Sequence, residues 1–215
     1  MSEKFIKRWE GKQANESLTT RIKEAIQSPG PLKPRLEMAA RRLELQIAKL
    51  DQASERFSQR DKSLFAKIVE AYAKHDMDHA RVFANELAEI RKMEKVIMNA
   101  RLALEQIVLR LKTITELGDV LTTLAPAVSV LKSVRTGLAS FLPEADHELN
   151  EIGDMLSSII MEAGQTTGLT LNFEAANEDA QKILAEAAAI AEQRIKEKLP
   201  ELPVTLPTSS ERTPV

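Results

Sequence analysis

The longest helical pattern of this chain runs from residue 35 to residue 73 and reads RLEMAARRLELQIAKLDQASERFSQRDKSLFAKIVEAYA. Neither Gly nor Pro occurs between residues 35 and 117, so 83 consecutive residues lack a helix breaker. Inside this pattern, steps of four and three residues alternate along Leu36, Ala40, Leu43, Ile47, Leu50, Ser54, Phe57, Asp61, Leu64, Ile68 and Ala71. That spacing is a heptad seam, interrupted at Ser54 and Asp61, and it predicts a long helix packed against another.

A second helix with its own seam follows a short polar segment. Pro31 and Pro34 mark the start of the first helix. Residues 74–78 are the predicted break, with Asp76 or Asp78 as the N-cap of the next helix. The second seam contains Phe83, Leu87, Ile90, Ile97, Leu104, Val108 and Leu111, and drifts towards Ile107, Ile114 and Leu121. Two helices of about 40 residues joined by a tight turn predict an antiparallel hairpin about 60 Å long.

Shorter helices and an extended tail are predicted beyond Pro126. The candidate helices are residues 127–142, 144–163 and 174–198, and residues 164–168 are expected to form a flexible linker. Whether Pro126 ends or kinks the second helix is left open. The last 17 residues contain four prolines and predict an extended tail. The predicted fold is therefore all-α, with an N-terminal segment (1–30), a hairpin core (31–143), acidic helices (144–198) and a Pro-rich tail (199–215).

The charges of the chain are separated along its length. Residues 1–143 carry 25 Lys and Arg against 18 Asp and Glu, a net charge of about +7. Residues 144–215 carry 5 against 14, a net charge of about −9. This asymmetry predicts a basic front part that binds anions and an acidic rear part that can fold back on it.

Several classes of function are disfavoured by the composition. The chain contains no Cys, which excludes disulfides and thiolate metal sites, and it has no Gly-rich phosphate-binding loop. His75 and His79 are four residues apart, a spacing that could place two imidazoles on a metal, but a polar hairpin turn explains the same residues and we expect no metal site. The longest uncharged run, residues 120–131, is too short to span a bilayer of about 30 Å, and no secretory signal is visible. We expect no enzyme, no cofactor and a cytoplasmic or peripheral protein.

The N-terminal segment has the pattern of a membrane-interface helix. Phe5, Ile6 and Trp9 share an arc of about 100° on a helical wheel. Cations occupy much of the rest of the wheel: Lys4, Lys7, Arg8 and Lys12. The pattern predicts rings at the headgroup boundary and cations against anionic lipid. The alternative is that Phe5 and Trp9 dock on the hairpin.

A basic stripe follows the first long helix. Its members are spaced seven residues apart and lie about 200° from the apolar seam: Arg35, Arg42, Lys49 and Arg56. Such a stripe suits an anionic membrane. The alternatives are a solvated face paired with acids of the same helix, which repeat at Glu37, Glu44 and Asp51, or contact with a neighbouring subunit. Nucleic acid is not expected, because the stripe has no interleaved aromatic residues.

The tail contains a repeated motif. Residues 198–207 read KLPELPVTLP, in which Leu-Pro occurs three times. A pre-extended peptide of this kind loses little entropy on docking, and its leucines can fill spaced pockets of a partner.

Together these parts resemble the ESCRT-III family, in particular its archaeal cell-division (CdvB-type) branch. The segment 199–203, LPELP, is similar to the family's proline-rich MIT-interacting motif, which lies between helices of the MIT domain of an AAA+ ATPase. The resemblance implies that Leu199, Pro200, Leu202 and Pro203 bind this ATPase. The chain ends too soon after the motif for the winged-helix extension of some members, which implies a shorter paralogue.

The resemblance also implies a mechanism. In a closed monomer the acidic rear, especially residues 174–198, would cover the basic hairpin. Its release would let copies and paralogues form filaments on anionic membrane, at the inner face of the cell membrane at the division site, and the ATPase would remove subunits. The competing hypothesis is a static coiled-coil adaptor or a dimeric curvature scaffold that does not polymerise.

Overall fold

The computed structural model describes residues 32–114, 117–168 and 172–199. Two compact units are distinguished, residues 1–36 and 37–215, and of the first unit only the start of the first helix is described. The described residues form five helices and no strand: α1 (Leu32–Ala73), α2 (Met77–Thr113), α3 (Leu117–Leu138), α4 (Pro143–Thr167) and α5 (Phe173–Lys198). The predicted all-α fold, a long hairpin followed by shorter helices, is confirmed.

Four ion pairs connect α1 to α2 and give their relative direction. From the open end of the hairpin to its tip, they are Glu44–Lys112, Asp51–Arg101, Asp61–Arg91 and Arg60–Glu86. Residues 44, 51 and 60–61 of α1 have their partners at 112, 101 and 86–91 of α2, so the two helices are antiparallel. Near the tip, Leu64 and Ile68 of α1 pack with Ala84, Leu87 and Ile90 of α2. The two predicted seams therefore form one core.

The turn between α1 and α2 is a Schellman motif that leads directly into an N-cap. His75 has the left-handed φ of 57° that the C′ position, the first residue after the helix end, requires in such a motif. The His75 N–H donates to the Tyr72 carbonyl at 3.0 Å, and the Asp76 N–H donates to the Ala71 carbonyl at 2.9 Å. Asp76 then accepts the His79 N–H at 3.2 Å, so the predicted N-cap is confirmed.

The hairpin contains buried acidic groups where its apolar seam is interrupted. The Asp61 side chain is 0% exposed and accepts a hydrogen bond from Arg91 Nε at 2.6 Å. Glu94 is 1% exposed, and its Oε2 has no hydrogen-bond partner among the described residues. Burial raises the pKa of Glu94, and the nearby Asp61 charge raises it further. Both carboxyls therefore oppose the stability of the hairpin unless they are neutralised.

We expect the Glu94→Gln variant to be more stable than the wild type at pH 7, by about 1 kcal/mol, because it removes a buried charge. The folded-state pKa of Glu94 is raised, so the folded protein binds a proton more readily than the unfolded chain, and the wild type loses stability as pH rises. The advantage of the variant should therefore shrink as pH falls to the ordinary Glu pKa of 4.5.

Urea unfolding followed by circular dichroism between pH 4 and pH 8 measures this difference. Glu89→Gln is the matched control, because Glu89 is an exposed residue of the same helix and, within the described ranges, pairs only with Lys92. An advantage for Glu94→Gln that is the same at every pH would contradict the assignment.

The shorter helices pack on α2 and on one another. α3 packs against α2, α4 and α5, and α5 packs against α2 and α3. The closeness of α3 to α2 is visible at Gly137, where a Cβ atom would lie 3.5 Å from Val96 Cγ1. On α5, Ile183, Ala187 and Ala191 are fully buried and lie on the face through which this helix packs.

The boundary between α2 and α3 differs from the prediction. α2 ends at Thr113, and Ile114 is extended with ψ 113°. Three consecutive β-branched residues at 113–115 weaken the helix here, and Thr113 Oγ1 donates to the Arg110 carbonyl at 2.8 Å. α3 then begins at Leu117 and contains Pro126, which was expected to precede a helix beginning at residue 127. Pro126 therefore does not end α2. It lies buried within α3, beside the fully buried Leu124 and Ala127. This packing offsets the stability lost because a proline cannot donate a backbone hydrogen bond.

The expected linker at residues 164–168 is mostly helix. α4 continues to Thr167, and only Gly168 leaves the helix, with φ 66° and its N–H donating to the Gly164 carbonyl. Gly164 is tolerated inside the helix because a single interior glycine costs only about 1 kcal/mol. The following helix, α5, starts one residue before its predicted position, with Asn172 as its N-cap.

Candidate functional site

The basic stripe of α1 is covered at Arg42 by acidic residues of α4. Arg42 Nη2 lies 3.1 Å from Glu148 Oε2 and 2.5 Å from Glu151 Oε2. The partners are more than 100 residues apart in sequence, so this contact, which we call the Arg42 clamp, depends on the tertiary fold. It joins the basic front part of the chain to its acidic rear part, as the charge separation predicts.

The clamp is electrostatically favourable in the charged state of all three groups. The hydrogen bonds to Glu151 and Glu148 raise the pKa of Arg42, and the hydrogen bond from Arg42 lowers the pKa of Glu151. A carboxyl with a lowered folded-state pKa stabilises the fold above its ordinary pKa of 4.5, and this contribution is lost as pH falls through the folded-state pKa. The clamp is therefore intact at neutral pH and weakens in acid.

The sequence of α4 places its acids on the side that meets α1. Pro143 occupies the first turn, where a proline is favourable, and Glu144 and Asp146 complement the positive end of the helix dipole. The other side of the helix is anchored by the buried residues Leu149, Ile152 and Leu156. Asp146 also pairs with Arg135 of α3, with Oδ1 3.0 Å from Nε. These contacts fix α4 beside the hairpin.

The remaining members of the stripe have different surroundings. Lys49 lines a groove with Pro143, Glu144 and His147, the first residues of α4. Lys49 and Arg56 are exposed and form no ion pair within the described part of the chain. Arg35 is half-buried and belongs to the first compact unit.

The acidic contact to the stripe therefore comes from α4, whereas α5, the helix expected to cover the hairpin most, packs on the second helix of the hairpin, α2, and on α3. The acids of α4 were not singled out from the sequence. Glu144, Glu148 and Glu151 follow one another at steps of four and three residues and lie on one helix face, a signal that was available.

The two other predicted binding segments fall largely outside the described residues. Lys4, Phe5, Ile6, Lys7, Arg8 and Trp9 lie before residue 32, and Pro200, Leu202 and Pro203 lie after residue 199. Leu199 is described: it is half-buried and is the C-cap of α5, with an extended backbone and its N–H donating to the Ile195 carbonyl. The residue before a proline favours an extended conformation, and Leu199 precedes Pro200.

The described ranges contain neither a candidate metal site nor a candidate membrane-spanning helix. Within them, no group of three or more His, Asp and Glu is placed to hold a metal ion. His79 Nδ1 lies 2.7 Å from Asp76 Oδ2, and His75 belongs to the Schellman turn. Of the helices described, none is both long and apolar enough to cross a membrane.

Comparison with known proteins adds a family and two relatives. The family model described as Snf7 matches residues 38–207, which include most of the hairpin, the clamp and the LPELP segment. Cell division protein B1 of Sulfolobus acidocaldarius is 39% identical over 213 residues, which cover 99% of this chain and 96% of that protein. Cell division protein B of the same organism is 36% identical over 162 residues, 75% of this chain and 62% of that protein. No solved structure matches.

Proposed function

We propose, from the premise that this chain belongs to the Snf7 (ESCRT-III) family, that it is a subunit of a membrane-remodelling polymer that acts in cell division. In this proposal it assembles with its own copies and with paralogues into filaments on anionic membrane, which constrict the membrane. A partner AAA+ ATPase then disassembles the filament. The relatives' names, Cell division protein B1 and Cell division protein B, favour the division role. Family and names point to a structural protein rather than an enzyme.

The observation that carries the proposal is the Arg42 clamp. The basic hairpin and the acidic rear of this chain pair with each other inside the monomer. This internal pairing neutralises part of the cationic surface until another anionic surface replaces the acids. Ion pairs that are 27% to 45% exposed are individually weak, so an anionic surface can compete for Arg42. The clamp is thus a contact that the membrane or another subunit can replace.

Membrane attachment in this proposal uses two cationic surfaces. Phe5, Ile6 and Trp9 insert at the headgroup boundary, with Lys4, Lys7 and Arg8 against anionic lipid. Arg35, Arg42, Lys49 and Arg56 add a second contact along α1, each cation contributing on the order of 1 kcal/mol near the surface. A polymer presents many such weak contacts at once, which makes attachment firm yet reversible. The site of action is then the inner face of the cell membrane at the division site.

We expect the Leu199→Asp/Leu202→Asp variant to lose affinity for the MIT domain of the partner ATPase by at least about a hundredfold. Each leucine is proposed to fill an apolar pocket, where a carboxylate is strongly disfavoured. A titration of the full chain with the isolated MIT domain, followed by calorimetry, measures the affinity.

The matched control for the tail is Thr208→Asp/Ser209→Asp, which adds the same charge outside the Leu-Pro repeats. This control should bind like the wild type. Equal affinity of the Leu199→Asp/Leu202→Asp variant and the wild type would contradict the proposal that the tail binds the ATPase.

The competing function is a static coiled-coil adaptor or a dimeric scaffold. Its motivation is the α1–α2 hairpin, whose four ion pairs and heptad core are also typical of a rigid coiled coil. A species of fixed size at every protein concentration, measured by sedimentation velocity with and without anionic vesicles, would favour it over the polymer.

A further inference from the structure

Glu94 is a buried titratable group of the hairpin that lies close to the end of α5. It is 1% exposed, and its Oε2 has no hydrogen-bond partner in the described part of the chain. Helix α5 packs on α2, and Ala191, two turns before the end of α5, is fully buried. A buried carboxylate with an unpaired oxygen is costly and responds strongly to nearby charges. The protonation of Glu94 can therefore be coupled to the position of α5.

The charged groups that face Glu94 come from three helices. Burial raises the pKa of Glu94, and the carboxylates of Asp61 and, to a lesser extent, Glu55 of α1 raise it further. Lys198, the last residue of α5, lowers this pKa, and Arg91 of α2 lowers it less. Arg91 is already engaged, since its Nε lies 2.6 Å from Asp61 Oδ2. The ammonium group of Lys198 is thus the positive charge that α5 supplies to Glu94.

The residue that follows Lys198 is the first leucine of the proposed ATPase-binding motif. Leu199 is half-buried, and its N–H donates to the Ile195 carbonyl at 3.0 Å, so the last turn of α5 holds it in place. A leucine that is partly covered in the monomer must leave this position before it can fill a pocket of a partner. Any contact that holds the last turn of α5 therefore also limits access to Leu199.

We infer that Glu94 and Lys198 form a proton-sensitive latch, which holds the end of α5 and Leu199 on the hairpin while Glu94 is ionised and releases them when Glu94 is protonated. The inference rests on the proposed function and concerns the regulation of its ATPase-binding motif. Lys198 favours the ionised carboxylate, so a docked α5 end and an ionised Glu94 stabilise each other. Because burial raises the pKa of Glu94, the latch is lost as pH falls through a folded-state pKa above the ordinary value of 4.5.

The latch and the hairpin respond to the same proton in opposite directions. Protonation of Glu94 removes a buried charge, which stabilises the packing of α1 on α2, but it also removes the attraction to Lys198. The release of the α5 end is therefore distinguishable from unfolding of the chain, which would expose all helices together.

Hydrogen exchange of the full chain as a monomer, followed by mass spectrometry at pH 5 and pH 8, tests the latch. After correction for the intrinsic rate at each pH, we expect the amides of residues 195–199 to exchange about threefold faster at pH 5, the effect of losing one weak ion pair. Glu94→Gln and Lys198→Gln should have the faster rate at both pH values. In Glu94→Gln, the amides of α2 should exchange more slowly than in the wild type, because the buried charge is gone.

Lys196→Gln is the matched control, because Lys196 lies in the same last turn and pairs with Glu192 of α5 at 3.0 Å. Its exchange rates at residues 195–199 should differ between the two pH values by as much as those of the wild type. A wild type without this difference, or a Glu94→Gln variant that retains it, would overturn the inference.

A titration with the isolated MIT domain separates this inference from the proposed function. We expect Glu94→Gln to bind the MIT domain about threefold more tightly than the wild type at pH 7, since its Leu199 is already released. Equal affinity of the two proteins overturns the control of the motif by Glu94, while the ATPase-binding proposal stands. If neither protein binds, the ATPase-binding proposal fails, and the exchange experiment, which needs no partner, still decides whether the latch exists.

Discussion

The Glu148→Lys/Glu151→Lys variant is expected to assemble at a protein concentration at least about tenfold lower than the wild type requires. The substitution replaces two attractive contacts of Arg42 by two repulsive ones, so the acids of α4 no longer neutralise Arg42 in the basic stripe. Leu149 and Ile152 still anchor α4 through their apolar contacts, so the chain should remain folded and helical. Sedimentation velocity over a concentration series measures the onset of assembly.

A charge-matched control separates the clamp from net charge. Glu178→Lys/Glu186→Lys changes the charge of the acidic rear by the same amount on exposed positions of α5, away from Arg42. This control should assemble like the wild type. If both variants assemble equally well, general charge reduction rather than release of Arg42 governs assembly. If neither does, the clamp has no inhibitory role.

The largest loss of stability is expected from Arg91→Ala. Arg91 is the only ion-pair partner of the Asp61 carboxylate within the described part of the chain, and the Asp61 side chain is 0% exposed. Without the guanidinium, a buried carboxylate is left uncompensated beside Glu94, which costs about 3–5 kcal/mol. Guanidinium chloride unfolding, followed by circular dichroism, should give a markedly lower midpoint with an unchanged slope.

Two further variants test this explanation. Arg60→Ala removes a similar ion pair, Arg60–Glu86, whose side chains are 60% and 39% exposed, and should cost at most about 1 kcal/mol. Asp61→Leu/Arg91→Met replaces the buried pair by apolar groups and should recover most of the lost stability. An Arg91→Ala variant that is no less stable than Arg60→Ala would contradict the account.

The hairpin was predictable because its determinants are local and repeated. Heptad spacing, the absence of Gly and Pro, and the capping residue Asp76 all indicate the same structure, and the observed hairpin agrees with them. The position of Glu94 was also visible in principle, since it fills the gap between Ile90 and Ile97 in the second seam. Its burial at 1% depends on packing, which the sequence pattern alone does not indicate.

The boundaries at Pro126 and at residues 164–168 were wrong because tertiary contacts override local preference. A proline inside a helix loses a hydrogen bond, but burial beside Leu124 and Ala127 offsets this loss. Similarly, the charge separation predicted that the acidic rear approaches the basic front. The acids that contact Arg42 depend on where α4 is anchored, so Glu148 and Glu151 could be identified as its partners only from the structure.

Electron microscopy of the full chain after sedimentation with vesicles tests the central claim most directly. The chain is mixed with anionic or neutral vesicles at low and high salt, and the pellets are imaged. The account predicts filaments or tubules on anionic vesicles, with less protein in the pellet at high salt because screening weakens the cationic contacts. Protein that stays in the supernatant with every vesicle and at every salt concentration would contradict the account and favour the static adaptor.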